Sequence, residues 1–311
     1  MNTRQQGVAL LVVLLILVLM VTVAAVITER NGRTYHRTVA QVEKLQANWY
    51  VRAAEAMAQK ILQRDKQDSP QKMYLAQNWA QTKLLFQSEE EDGVVRGQIV
   101  DAQACFNLNS IQGDDIIKNN NVPYPAKVFQ QLLINLQIEP LRATQITTAL
   151  RNRLNTENSS VTGSQLMQDV SELRMIAGVD ANLYRTLLPY VCVLPTSILL
   201  VNINTLQESQ EELLAALFLK DQHTFLGEKL LQQRPRMGWD SVATFLELSQ
   251  LKEIDTAAVI PNLTVNSDYF ITNLYVVMGY RQFSIHNLII WKEKYFHIVQ
   301  RKYGLSIMVA P

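Results

Sequence analysis

The chain has 311 residues, 48% of them hydrophobic, and a formal net charge of +1. That supports one large domain or two modest ones around real cores and excludes a disordered chain. The near-neutral balance gives no basic surplus for neutralising nucleic-acid phosphates. Only two cysteines occur, Cys105 and Cys192, without a Cys-x-x-Cys spacing, so a zinc site or thioredoxin-like pair has no support.

The N-terminus reads MNTRQQGVALLVVLLILVLMVTVAAVITER, in which Val8 to Ile27 is an apolar run broken only by Thr22. At about 1.5 Å per residue, about twenty residues cross about 30 Å of hydrocarbon, where a helix satisfies its own backbone groups. Residues 1–7 are therefore a polar leader and 8–27 a transmembrane helix. Three mature N-termini compete. A signal-peptidase cut near Ala24 and Ala25 would release an exported protein, although the run is long for a signal peptide. An uncut anchor would begin at Met1. A cut between Gly7 and Val8 would keep the apolar helix. Arg30, Arg33 and Arg37 follow the span while Arg4 precedes it, which by the positive-inside rule argues against an outside C-terminal part.

Residues 28–66 lack proline and continue the helix, with Gly32 permitting a bend. Tyr35, Val39, Val42, Leu45, Trp49, Ala53 and Ala56 recur at spacings of three and four, a stripe for packing on a domain or on neighbouring helices. The polar RDKQDSP then predicts a break, and Met73 to Phe86 a short helix. Glu89 to Gly93 reads as a solvated hairpin turn, because adjacent carboxylates cannot all converge on one ion. VVRGQIVDAQACFNLNSI predicts strands ending at Asn109. Helices are expected at Phe129–Leu136, Leu141–Leu154, Gly163–Ile176 and Leu183–Tyr190. After a strand at Ile198–Ile203, more follow at Gln207–Leu219, Thr224–Gln233 and Asp240–Leu246. Phe270–Gly279, Ser284–Lys292 and Tyr295–Lys302 return to strand. The expected fold is α+β. Residues 67–110 and 261–311 share one small antiparallel sheet, and 111–260 form a helical insertion of two units, about 111–197 and 204–260.

The leader QQGVALLVVLLI, then DAQACFNLNSI, SELRMIAGV, LLPYVCVLP, VNINT and RMGWDSVATFL, in that order, resemble the K-type minor pseudopilins of type II secretion systems over nearly the whole chain. The resemblance implies a pseudopilin fold with inserted SAM-like, helix-hairpin-helix-like repeats. It also implies a prepilin-peptidase cut between Gly7 and Val8, and a single-pass inner-membrane protein with its C-terminal domain in the periplasm. The implied partners are the I- and J-type minor pseudopilins, the major pseudopilin, prepilin peptidase, the inner-membrane platform with its ATPase, and the secretin or exported proteins. No nucleic-acid partner is expected. Val12 stands fifth in the processed chain, where most pilins carry glutamate, an absence that the K-type family shares. Some members bind calcium in the insertion, but here the corresponding stretch ALRNRLNTENSSVTGS is basic and amide-rich. No calcium ligands are carried over, no cofactor is expected, and Asp114, Asp115 and Glu157 are read as solvated acids.

The stretch Glu172 to Val179 resembles a helix-hairpin-helix turn, which in DNA-binding proteins offers N–H groups to a phosphate; without nearby basic surplus, packing is its expected role. His36, His223, His286 and His297 are scattered, and no Walker, Gly-x-Ser-x-Gly or dinucleotide pattern occurs, so no enzyme is expected. Cys105 and Cys192 flank the insertion's junctions with the sheet and are read either as a disulfide tying its ends or as two buried thiols. The functional expectation is a minor pseudopilin that starts or caps the pseudopilus tip in protein export. The alternatives are a single-pass adaptor binding DNA or a periplasmic partner, and an exported hydrolase.

Overall fold

The computed structural model describes residues 4–87, 93–112, 122–155, 166–221, 227–278 and 281–304. Helix α1 (Arg4–Asp68) runs unbroken for 65 residues. It ends at the Ser69–Pro70 step, since a residue before proline is pushed out of helical backbone. The expected helix over Met73–Phe86 is mostly absent: only one turn, α2 (Asn78–Gln81), forms before the chain extends as β1 (Leu84–Gln87). The Asp65 carboxylate fixes that turn by accepting from Trp79 N and Asn78 Nδ2, each at 2.7 Å, and strand pairing claims the rest.

β1 pairs antiparallel with β2 (Gly93–Asp101), and the expected turn acids Glu89 to Asp92 lie outside the described residues. The chain then enters a helical lobe containing β3 (Phe106–Asn107), α3 (Tyr124–Asn135), α4 (Pro140–Asn155), α5 (Ala181–Leu187), β4 (Val191–Cys192) and β5 (Val201–Asn202), followed by α6 (Glu211–Leu217), α7 (Gly227–Gln232), α8 (Val242–Leu246) and β6 (Leu263–Thr264). It returns as β7 (Tyr269–Met278), β8 (Arg281–Lys292) and β9 (Tyr295–Gly304), giving one antiparallel sheet in the order β1-β2-β7-β8-β9. Early and late strands thus share a sheet. Departure and return lie side by side: Asp101 pairs with Phe270, and Ala102 N–H donates to Tyr269 O at 3.0 Å.

Among the described residues, two large cores form, with a small buried cluster between them. The upper half of α1 lays Ala47, Val51, Ala54, Ala58 and Leu62 on the sheet face formed by Val95, Ile99, Phe270, Leu274 and Ile289. Of the two uses expected of the Tyr35–Ala56 stripe, packing on the domain is not found, since it faces away: Tyr35 is 67% and Trp49 72% exposed, and Ala53 and Ala56 are exposed too. The alanine-rich face lets the helix axis approach the sheet closely, and the large apolar residues are left on the opposite side. Burial of Glu55 on the sheet face is matched by Arg301 of β9, which donates through Nε and Nη2 at 2.9 Å each.

The lobe's core reaches beyond the expected 111–260, taking in Phe106 and Leu108 before it and Leu263 and Val265 after it. The expected strand through Asn109 breaks at Ala102–Cys105, and β3 pairs in parallel with β4 instead of extending the sheet. The Gly163–Ile176 helix is replaced by a 3-10 turn, Val170–Met175, capped by Asp169 and Glu172; residues 163–165 lie outside the described ones. The two expected units do not have separate cores, since Phe129 and Leu150 of the first and Leu214 and Phe245 of the second belong to one cluster.

One device appears in both units. Phe106-Asn107-Leu108-Asn109-Ser110-Ile111 and Val201-Asn202-Ile203-Asn204-Thr205-Leu206 share the pattern apolar-Asn-apolar-Asn-hydroxyl-apolar. Asn109 accepts from Met167 N and donates to Met167 O and Leu194 O. Asn204 likewise accepts from Trp239 N and donates to Trp239 O and Val265 O. Asp169 and Ser241, each two residues further on, cap the next turn, and each unit closes with a parallel strand pair. A side-chain amide satisfies buried backbone that no regular element reaches.

Candidate functional site: the N-terminal helix and the lobe junction

From Ala9 to Ile27, α1 is covered by no other described residue and presents large apolar side chains all round. A helix apolar on every face and buried by no protein is suited to lipid. Gly7 and Val8 lie within the continuous helix, and Val12 projects from it, exposed. The first acid along this segment is Glu29, which pairs with Arg33 one turn on, past the apolar run. The outer stripe from Tyr35 to Trp49 continues the apolar surface upward on the side away from the sheet.

At the other end, Asp101 joins the two lobes. It is buried at the end of β2 and accepts from Gln103 N at 2.7 Å, Asn202 Nδ2 at 3.1 Å, Thr205 Oγ1 at 2.7 Å and Ser267 Oγ at 2.6 Å. Burial pushes its carboxyl up from the ordinary range, against the opposing pull of these donors. Close by, Lys66 of α1 donates to Asn266 Oδ1, Ser267 O and Asp268 Oδ1; burial lowers its ammonium, with Asp268 acting in the opposite sense. Sequence reading missed this junction, because its members lie far apart in the chain. The repeated asparagine pattern was the visible signal.

Cys105 and Cys192 are joined in a disulfide with Cα atoms 5.8 Å apart. The bridge lies at the base of the first unit, beside β3 and β4, and packs with Ala102, Leu194 and Leu288 between the cores. The structure does not bring the bridge together with Gly7, Val8 and Val12, which belong to the free end of α1. A second tie comes from Lys302 of β9, whose Nζ donates to Asp169 Oδ2 at 2.5 Å and to Gln168 O. Burial raises the Asp169 carboxyl, but the bonds from Lys302 and Ser171 outweigh it and bring it down to about 2.

The hairpin-like turn has Gly178 at φ +91°, where an added Cβ would stand 2.8 Å from Ile146. Its carbonyl accepts from Arg142 Nη2 at 2.8 Å, and Arg142 also pairs with Asp180. Glycine here serves close packing of the turn on α4. Among the described residues, no group of three His, Cys, Asp or Glu could hold a metal ion. Asp114, Asp115, Glu157 and His223 lie outside the described residues. His286 bonds through Nδ1 to Asn273 Oδ1 at 2.7 Å, while His36 and His297 are exposed.

Residues 104–196 and 201–266 match the two models of a family described as type II secretion system protein K. The chain is 46% identical to type II secretion system protein K of Klebsiella pneumoniae, with 98% of each covered. It is 41% identical to that of Pectobacterium carotovorum subsp. carotovorum, with 100% of each covered. Among solved structures, it resembles a chain in the crystal structure of the GspK–GspI–GspJ complex from the enterotoxigenic Escherichia coli type 2 secretion system. The TM-score is 0.76 at 29% identity, over 87% of this chain and 100% of that one.

Proposed function

This chain belongs to the type II secretion system protein K family, the K-type minor pseudopilins, and from that premise we propose that it starts or caps the tip of a periplasmic pseudopilus in protein export. The observation that carries the proposal is Val12. A carboxylate in a bilayer costs about 2.5–3.5 kcal/mol, a cost offset in pilins when it pairs with the terminal amine of the subunit above. With Val12 exposed on an otherwise apolar helix, this subunit has no such charge to satisfy and needs no neighbour overhead.

Cleavage between Gly7 and Val8 by prepilin peptidase leaves the apolar helix as an inner-membrane anchor, with the sheet and helical lobe in the periplasm. The outer stripe of α1, with Trp49 at its upper end, gives I- and J-type partners a helix face to pack on; a complex of such subunits is the one named for the similar crystal structure. The lobe, carried at the ends of the interior strands β2 and β7, suits an end position facing the secretin or exported proteins better than a tightly stacked shaft. Assembly force comes from the platform and its ATPase, and the chain itself acts as a structural component, not as an enzyme.

Immunogold labelling of sheared pseudopili tests the position. Wild-type chain should label ends only, and a Val12→Glu variant should gain positions along the shaft. Equal labelling along the shaft for both would end the capping proposal.

A further inference from the structure

Arg30, Arg33 and Arg37 follow the apolar span at intervals of three and four residues and are all exposed. At about 100° per residue they fall within about 60° of one another, so they form one basic strip on α1. Arg33 is shared with Glu29, while Arg30 and Arg37 have no side-chain partner among the described residues. The strip lies on the side that, further up, carries Ala47 and Val51 against the sheet, so it faces the space between the folded domain and the membrane.

We propose that this strip binds the phosphates of anionic lipid headgroups in the leaflet on the domain's side of the membrane. The inference rests on the reading of Val8–Ile27 as a membrane span. Height is the first argument. With a rise of about 1.5 Å per residue, Arg30 stands about 4.5 Å and Arg33 about 9 Å beyond Ile27. The headgroup layer is about 5–8 Å thick on each side, and guanidinium groups reach back toward it along their alkyl stems. Charge is the second argument. A cationic flank on this side opposes the positive-inside rule, with only Arg4 on the other side, so its presence calls for a favourable partner there. Guanidinium planes fit phosphate oxygens two at a time. Arg37, about 15 Å out, lies beyond a Debye length of about 8 Å and contributes less.

The test is native mass spectrometry of the full chain, reconstituted in phosphatidylcholine vesicles containing a minor share of phosphatidylglycerol and then released in detergent. Wild type should retain phosphatidylglycerol over phosphatidylcholine on the order of tenfold above the input ratio, from about fivefold per arginine discounted for Glu29. The R30Q/R33Q variant should fall to near parity, E29Q should rise above wild type, and K44Q, too distant to touch headgroups, should match wild type. These arginines are exposed and outside both cores, so the variants keep the fold. Vesicle flotation precedes each measurement. A chain that floats but retains both lipids at the input ratio, or retains phosphatidylglycerol equally in R30Q/R33Q, overturns the headgroup proposal alone. A chain that does not float overturns the membrane span and this proposal with it.

Discussion

Replacing Asp101 tests how the two lobes are fastened. In Asp101→Ala, two of its four donors keep other acceptors: Asn202 Nδ2 retains Met73 O at 3.3 Å and Ser267 Oγ at 2.8 Å, and Thr205 Oγ1 retains Asn202 O at 3.2 Å. Gln103 N–H and the Ser267 hydroxyl lose theirs. Each buried donor left without a partner costs about 1–3 kcal/mol, so the gross loss is about 2–6 kcal/mol. Removing the carboxylate also removes its burial cost, which brings the expected net destabilisation to about 3 kcal/mol. Asp101→Asn keeps the Gln103 bond and lets both hydroxyls turn round. It sets one amide against Asn202 Nδ2, at about 1–2 kcal/mol. Acidity adds a second signature. Because burial raises the Asp101 carboxyl above its unfolded value, the folded chain holds this proton more tightly, and the contribution to stability falls as pH rises through the raised value. That slope should be missing in the Asn variant. Urea unfolding of the full chain in detergent, followed by tryptophan fluorescence at several pH values, measures all three. An Ala variant within about 0.5 kcal/mol of wild type, or an Asn variant costlier than Ala, would refute the reasoning.

Three further outcomes are expected. Arg301→Met should cost about 2–4 kcal/mol by leaving Glu55 buried without its guanidinium, while Glu55→Met/Arg301→Met should recover most of that; a double variant no better than the single would remove the ion pair's role. The Lys302–Asp169 tie should contribute less than about 1 kcal/mol because both partners are half-exposed. Since Asp169 is held at about 2, that contribution is complete above the ordinary carboxylate range and is lost as pH falls from about 4 through about 2; Lys302→Met should reduce the acid-dependent step in thermal unfolding, leaving the part that Ser171 supplies. Cys105→Ser/Cys192→Ser should lower stability by about 2–5 kcal/mol with the fold retained, and thiol labelling of unreduced wild type should find no free cysteine.

The strands were legible because alternation along β2, β7 and β8 reflects one face on α1 and another outward. The apolar helix over Val8–Ile27 was legible because an unbroken run of that length is the least ambiguous of apolar patterns. The packing face of α1 was not. Sequence reading follows the bulkiest stripe, whereas a helix laid on a sheet is positioned by how near it can come, and Ala54 and Ala58 permit more than Leu45 and Trp49 would. Met73–Phe86 was misread because a pairing with β2 and a cap from Asp65 outweigh helix propensity. Glu55 and Arg301 stand 246 residues apart, and no local signal joins residues at such a distance.

The adjacency of Asp101 and Phe270 in the ladder has an evolutionary consequence. A hairpin of this sheet has in effect been opened at its tip and cargo written into the gap. Facing residues of an antiparallel ladder stand about 5 Å apart, so any module whose ends meet at that spacing fits the same socket. Trimmed back to a tight turn, β2 and β7 would remain partners and the sheet face under α1 would keep its core, while Asp101 and Leu288 would lose the lobe residues they meet. What the platform displays at its summit is thus a graft, fitted to its carrier through Lys72, Asp101, Leu288 and Lys302.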